Sequence, residues 1–424
     1  MASSTMIEDA EFKGEQKAKL IARAHALAAA SKEQVLDLLT ALVRHPTHEV
    51  GQCVTAAPLV VSAMSRSGYD IEEHCPQNSA GDSLPVIIGW LGLRTHRPDI
   101  LLCAHMDTSP AGGGWTREPY GAERDGGLVF GRGSVVSKSD VACFINAALA
   151  AYSATTAGSG RTIAVAITSD EGSGGDFGAA YILNELKLRP AVAIFPGVTD
   201  VATIAHNGCI QVKVRIAGMA CHQSLVPPQE DAMRRAAALC GDIYALADRL
   251  TLHPSATPGI TAPTLNITRI FGGTEFGMAP REVEIWIDRR VTPDEQLDAA
   301  RDELLDVIDK QTTKSTTILT HKVVRMAEPM RPSEKQHHFA KLLGEEAQAA
   351  YGKRLINAGS ALYTDARWYS NADIPTIMYG AGESDIRVSG ANGIDERVPE
   401  ACLEQATVIL ARAMVRFISE RRQG

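Results

Sequence analysis

Apolar positions along this chain follow two periodicities, and their alternation sets the expected architecture. After two N-terminal helical segments, the first around KAKLIARAHALAAA, continuous apolar runs read as buried strands in PVIIGWLG, DILLCAHMD, TIAVAITSDE and AVAIFPG. Between them, VACFINAALAAYSA and FGAAYILNELK read as helices. Strands of this kind alternating with helices predict a doubly wound α/β sheet. From Ile210 the character changes. IQVKVRIAG alternates apolar and polar residues, DAMRRAAALCGDIYALADRL is a long helical stretch, and TLNITRIFGG and VEIWIDRRV read as further strands. Residues 210–325 are therefore expected to form an inserted α+β domain, dividing a first domain into 1–209 and 326–424. The tail returns to the α/β style with a helix near KLLGEEAQAAYG, a strand at IPTIMYG and a helix from Pro399 to about Ile418.

Composition narrows the class of partner. The 424 residues carry 42 Lys and Arg against 50 Asp and Glu, a formal net charge of −8 with no basic block. That balance argues against nucleic acid or an anionic membrane and leaves a small-molecule substrate as the expectation. The eight cysteines (53, 75, 103, 143, 209, 221, 240 and 402) include no CxxC pair, and several lie in apolar segments where cysteine acts as a small hydrophobe. Reduced thiols, together with the lack of any apolar run near the ~18 residues of a membrane span, point to a cytoplasmic protein.

Three stretches carry candidate chemistry. In DILLCAHMDTSP a strand ends at His105 and Asp107, two residues apart, so both side chains can share a face. The pair reads as a metal-ligand histidine with an orienting carboxylate, or as a capped strand end. TIAVAITSDE delivers Asp170 and Glu171 before a glycine-rich turn, the usual place for a site in an open α/β sheet. There a glutamate can serve as general base, or the two acids can cap the next helix. GRGSVVSKSD is not a phosphate cradle, because Ser137 stands where GxxxxGK[ST] needs the glycine before its lysine. Asp140 in that stretch reads as a charge favoured by the dipole of the following helix.

Beyond these residues, HMDTSPAGGGWTREPYGAERDGGLVFGRGSVVSK resembles the signature of the co-catalytic zinc metallopeptidase family. That family contains aminoacylases, acetylornithine deacetylases, succinyl-diaminopimelate desuccinylases and glutamate carboxypeptidases. TSDEGSGGDFG is similar to its acidic second motif, and GMACHQSLVPP to the glycine and histidine entry of its lid. LNITRIFGG with WIDRR resembles its lid strands, and YTDARWYSNADIPTIMYGAG its last catalytic segment. The resemblance implies a zinc-peptidase-like doubly wound mixed sheet with an inserted α+β lid/dimerisation domain, and a homodimer or higher homo-oligomer formed through that lid.

Carried over residue by residue, the resemblance makes His105 a metal ligand, Asp107 its companion and Glu171 the base; shifted by one, Glu171 becomes a ligand and Asp170 the base. The family's bridging aspartate falls on Val136, its ligand glutamate on Gly172, its later carboxylate on Phe195 and its final histidine on Asn392. With those donors replaced, at most one divalent transition metal (Mn, Zn or Co) is expected per site, held by His105 with help from Glu171, Asn392 or a nearby acid such as Asp170 or Asp200. His222 and Arg290 fall on substrate-contact positions, whereas a lid asparagine is replaced by Gly277. His206 near the domain junction and Arg325, as a planar fork for a carboxylate, complete the expected substrate contacts.

The expected activity is hydrolysis of a C–N bond. Its most specific form is hydrolytic deamination of a nitro-substituted aromatic amine bearing a carboxylate, 5-nitroanthranilate to 5-nitrosalicylate and ammonia, with one metal and Glu171 activating water. Alternatives are an ordinary aminoacylase or metallo-carboxypeptidase, and an inactive binding member of the family.

Overall fold

A pair of buried strands running in parallel, each leading into candidate functional residues, sets the frame. The computed structural model describes residues 2–155, 160–312 and 318–421. In chain order its strands are β1 (Asp70–His74), β2 (Val86–Leu91), β3 (Ile100–His105), β4 (Arg124–Asp125), β5 (Leu128–Phe130), β6 (Ile163–Thr168), β7 (Val192–Phe195), β8 (Val201–His206), β9 (Gly208–Ala217), β10 (Thr264–Gly272), β11 (Glu282–Val291), β12 (Leu319–Ala327), β13 (Ile356–Ser360), β14 (Thr376–Met378) and β15 (Arg397–Pro399). Contacts divide the chain into one unit of Met1–Ile204, Ser333–Asn357 and Thr364–Gly424, and another of Ala205–Pro332 with Ala358–Tyr363. The second unit thus encloses the 210–325 expected from the sequence and extends a few residues beyond it.

The large sheet has eight strands in the order β1-β2-β6-β3-β7-β14-β8-β13. It is mixed: β3 pairs in parallel with β6 and β7, whereas β2 pairs antiparallel with β6. Every residue of β3 and β6 is buried, so both faces of these strands are covered, as their continuous apolar runs require. The helix Lys138–Ala154, buried along nearly its whole surface, and the helix Glu400–Glu420 belong to the same apolar core as β3 and β6. Among the described residues no helix is long and apolar enough to cross a membrane.

In the second unit, four antiparallel strands lie in the order β10-β11-β9-β12. Period-two alternation buries Ile210, Val212, Val214 and Ile216 of β9 with Val283, Ile285 and Ile287 of β11. Against them pack Leu239, Ile243 and Leu246 of the helix Ala232–Leu250, whose first N–H groups donate to the Asp231 side chain.

The loop that joins β5 to the helix Lys138–Ala154 is pinned from the far end of the chain. Arg132 and Glu396 are 1% and 0% exposed, with Arg132 Nη1 donating to Glu396 Oε2 at 2.7 Å. The other Glu396 oxygen accepts the Val135 and Val136 N–H groups at 3.0 and 3.2 Å, and Arg132 Nη2 donates to the carbonyls of Ala111 and Gly393. Gly133 has φ +85°, and a Cβ there would meet Thr108 Cγ2 at 2.7 Å, so the turn admits only glycine. Glu396→Ala would leave a buried guanidinium and two N–H groups unmatched, a loss of about 3–5 kcal/mol. Chemical denaturation should show this loss and a smaller one for Arg132→Met with Glu396→Leu together, because no buried charge then remains uncompensated.

Candidate active site

The parallel register of β3 and β6 sets His105 beside Thr168, so the residues that follow each strand emerge at the same edge of the sheet. This geometry brings His105, Asp107 and Glu171 together. His105 is 7% exposed, and its Nδ1 donates to the Asp107 carbonyl at 3.0 Å and lies 3.3 Å from Asp107 Oδ1. A carbonyl only accepts, so Nδ1 carries a proton, and Nε2 lies 3.9 Å from Glu171 Oε2. The Asp107 carboxylate also receives the N–H groups of Gly172 at 2.9 Å and Glu171 at 3.3 Å, which ties the second acidic turn to the first.

Electrostatics follow from this packing. Burial alone would lower the pKa of His105, but the Asp107 and Glu171 carboxylates outweigh it and hold the imidazole at about 10. Burial also works against the Asp107 carboxylate, yet His105 and the two N–H donors keep its pKa below the ordinary value. Asp365 goes the other way: burial, then the nearby charges of Glu171 and Asp170, push it well above the usual carboxylate range.

A cavity of about 690 Å³ opens over these groups. Its lining includes His105, Asp107, Glu171, Val136 and Asn392. Sequence reasoning missed Thr47, His48 and Glu49, which line it from the RHPTHEV turn between two helices. The Pro46 break was visible there, but nothing local indicated that the turn meets the end of β3, where Thr47 Oγ1 donates to the Met106 carbonyl at 2.6 Å.

The model of peptidase family M20/M25/M40 matches residues 101–416. The chain belongs to this family. Among its relatives is a succinyl-diaminopimelate desuccinylase of Methylorubrum extorquens (strain PA1), 23% identical over 408 residues that cover 91% of this chain and 99% of that protein. The di-peptidase Dug1p of Saccharomyces cerevisiae superposes with a TM-score of 0.75 at 16% identity, covering 94% of this chain and 98% of its own. The YXEP protein of Bacillus subtilis, described as a dinuclear metal binding M20 peptidase, gives a TM-score of 0.61 at 15% identity, with 91% and 98% covered. M20 membership makes this chain a hydrolase from a metal-dependent family with a mixed α/β fold.

The donor set does not reproduce a metal centre. Among the described residues no group of three or more His, Cys, Asp or Glu side chains is placed to hold a metal ion, whereas a catalytic zinc commonly takes three protein ligands. Val136 offers the cavity an isopropyl group, and Phe195 turns into the core with its ring 5.3 Å from that of Tyr369. A Cβ at Gly172 would already stand 3.3 Å from Asp107 Oδ2, so a glutamate there would crowd the carboxylate that now holds the turn. Asn392 Oδ1 accepts from Ser109 Oγ at 3.0 Å, and Asp170 Oδ2 accepts the Phe177 N–H at 2.7 Å. Asn392 Oδ1 and one of the two Asp170 oxygens are thus engaged in holding loops.

Of the expected substrate contacts, His206, His222, Arg290 and Arg325 all belong to the second unit. His206 is 0% exposed, with Nδ1 donating to the Asn207 carbonyl at 2.8 Å. His222 is exposed, and its Nδ1 lies 2.8 Å from Ser224 Oγ. Arg290 pairs with Asp288 at 2.7 Å and lies over the Tyr363 ring, whose hydroxyl accepts from Arg325.

Asp140 does stand in the first turn of the helix Lys138–Ala154, the place the dipole reading gives it, but burial decides its state: it is 1% exposed, accepts the Ala381 N–H at 2.7 Å, and has its pKa pushed up to about 8. Because the folded value lies above the unfolded one, its contribution to stability is full at acid pH and is lost as pH rises through about 8. The stability of Asp140→Asn relative to wild type should therefore increase between about pH 4 and 8 in thermal melts and level off above that, since the amide has no charge to bury.

Proposed function

We propose that this M20 protein hydrolyses a C–N bond of a small carboxylate-bearing substrate, with Glu171 as the general base. The observation that carries this reading is the Glu171 carboxylate, 3.9 Å from His105 Nε2 on the wall of the cavity of about 690 Å³. Glu171 takes a proton from a water as its oxygen adds to the substrate carbon, and returns it to the nitrogen as the C–N bond breaks. Asp107 orients this machinery by holding both the His105 ring and the turn that carries Glu171.

The most specific substrate consistent with the altered donor set is a nitro-substituted aromatic amine with an adjacent carboxylate, 5-nitroanthranilate. A nitro group para to the amine accepts the charge of the addition intermediate, so less of it falls to the protein. The single divalent metal expected from the sequence would have to draw donors from the substrate, and neighbouring carboxylate and amine groups are such donors. A second reading, cleavage of an acylated amino acid, is favoured by the full-length similarity to the Methylorubrum desuccinylase. His222, Arg290, His206 and Arg325 are proposed as substrate contacts under both readings. Self-association through the second unit belongs to the same proposal, supported by exposed Ile270, Phe271 and Phe276. A cytoplasmic location is supported by the eight free cysteines.

Ammonia release from 5-nitroanthranilate and succinate release from N-succinyl-diaminopimelate discriminate the two readings when followed with and without Mn, Zn or Co. Glu171→Gln should lower turnover of the accepted substrate by about 100-fold or more while leaving its binding nearly intact. Retained turnover would remove Glu171 from the role of base.

A further inference from the structure

One cross-strand row in the second unit gathers three cations. The register pairs Lys322 of β12 with Lys213 of β9, Lys213 with Trp286 of β11, and Trp286 with Arg269 of β10. Paired residues project to the same face of an antiparallel sheet, here the face opposite the buried one formed by Val212, Val214 and Ile285. Lys213 Nζ lies 4.1 Å and the Arg269 guanidinium 4.8 Å from the Trp286 ring centroid. The indole is fixed in turn, with Nε1 donating to Glu284 Oε1 at 2.6 Å while Arg215 holds the other oxygen at 3.1 Å.

The acids on this face are already engaged: Glu282 and Glu284 with Arg215, and Asp288 with Arg290. Among the described residues Lys213, Lys322 and Arg269 have no carboxylate within 4.0 Å; Lys213 adds only at longer range to the Trp286 and Arg215 groups that hold the Glu284 carboxyl below its usual value. Like charges directly across a strand pair destabilise a sheet, and a chain with 50 acidic residues does not lack carboxylates to place there. The row therefore carries a cost that a bound anion would remove.

We propose that this row binds a linear phosphate-type polyanion. Four strands at about 4.8 Å spacing make the row about 14 Å long, which suits a chain of charges better than a single oxyanion. Cations lie over the Trp286 ring, so the surface presents charge rather than a stacking platform for nucleobases. β9 and β11, which carry the middle of the row, are paired on both sides, so a ligand lying across the four strands meets side-chain charges there rather than main-chain groups.

The test is calorimetric titration of the full chain with tripolyphosphate at low salt, beside inorganic phosphate and poly-glutamate. Tripolyphosphate should bind more tightly than phosphate, weaken as salt rises, and lose about tenfold in affinity for Lys213→Gln. Lys322→Glu should abolish binding and raise Tm, because opposite charges then face each other across β9 and β12. Equal affinities for wild type and both variants, binding of poly-glutamate but not tripolyphosphate, or a lowered Tm for Lys322→Glu would each overturn the proposal.

Discussion

The buried pair of Arg132 and Glu396 is the constraint on which the site's shape depends. A guanidinium and a carboxylate removed from water are tolerated only when their remaining donors and acceptors are matched. Here the matching groups belong to segments far apart in sequence: the Ala111 carbonyl, the Gly393 carbonyl and the N–H groups of Val135 and Val136. Satisfying one ion pair therefore fixes three walls at once, the stretch after β3, the loop before the helix Lys138–Ala154 and the segment carrying Asn392. Lys138 adds a fourth tie, its ammonium donating to the His45 carbonyl at 2.8 Å and so holding the turn from which Thr47, His48 and Glu49 line the cavity.

This arrangement separates frame from chemistry. Glycine at 133, the ion pair and the backbone hydrogen bonds define where position 136 lies, whatever side chain it bears. The isopropyl group of Val136 is compatible with that loop and offers no donor. At Gly172, likewise, the backbone N–H anchors Asp107 with no side chain involved. M20 membership and the mixed α/β fold were legible for this reason, since glycines, buried strands and the strand-end acids are read locally. The alternating run IQVKVRIAG likewise gave β9 and its buried face. What was not legible depended on contacts across long sequence separation. Asp140 looked like an ordinary helix-start acid because its partner, the Ala381 N–H, is 241 residues away. The RHPTHEV turn drew no reading because only the folded chain brings Thr47 to Met106.

Charge balance in the cavity explains why the altered donor set is compatible with a stable fold. Two carboxylates near one point repel, and burial raises the cost of both. In this chain the His105 imidazole stands between them, with one nitrogen 3.3 Å from Asp107 and the other 3.9 Å from Glu171, and two N–H groups share the charge on Asp107. Val136 and Phe195, on which the sequence resemblance places two family carboxylates, bear no charge; Val136 lines the cavity and Phe195 is seated against Tyr369 in the core. Removal of acidic donors and neutralisation by His105 act in the same direction. Each lowers the negative charge of the pocket, and a cation entering it meets the His105 imidazole beside both carboxylates.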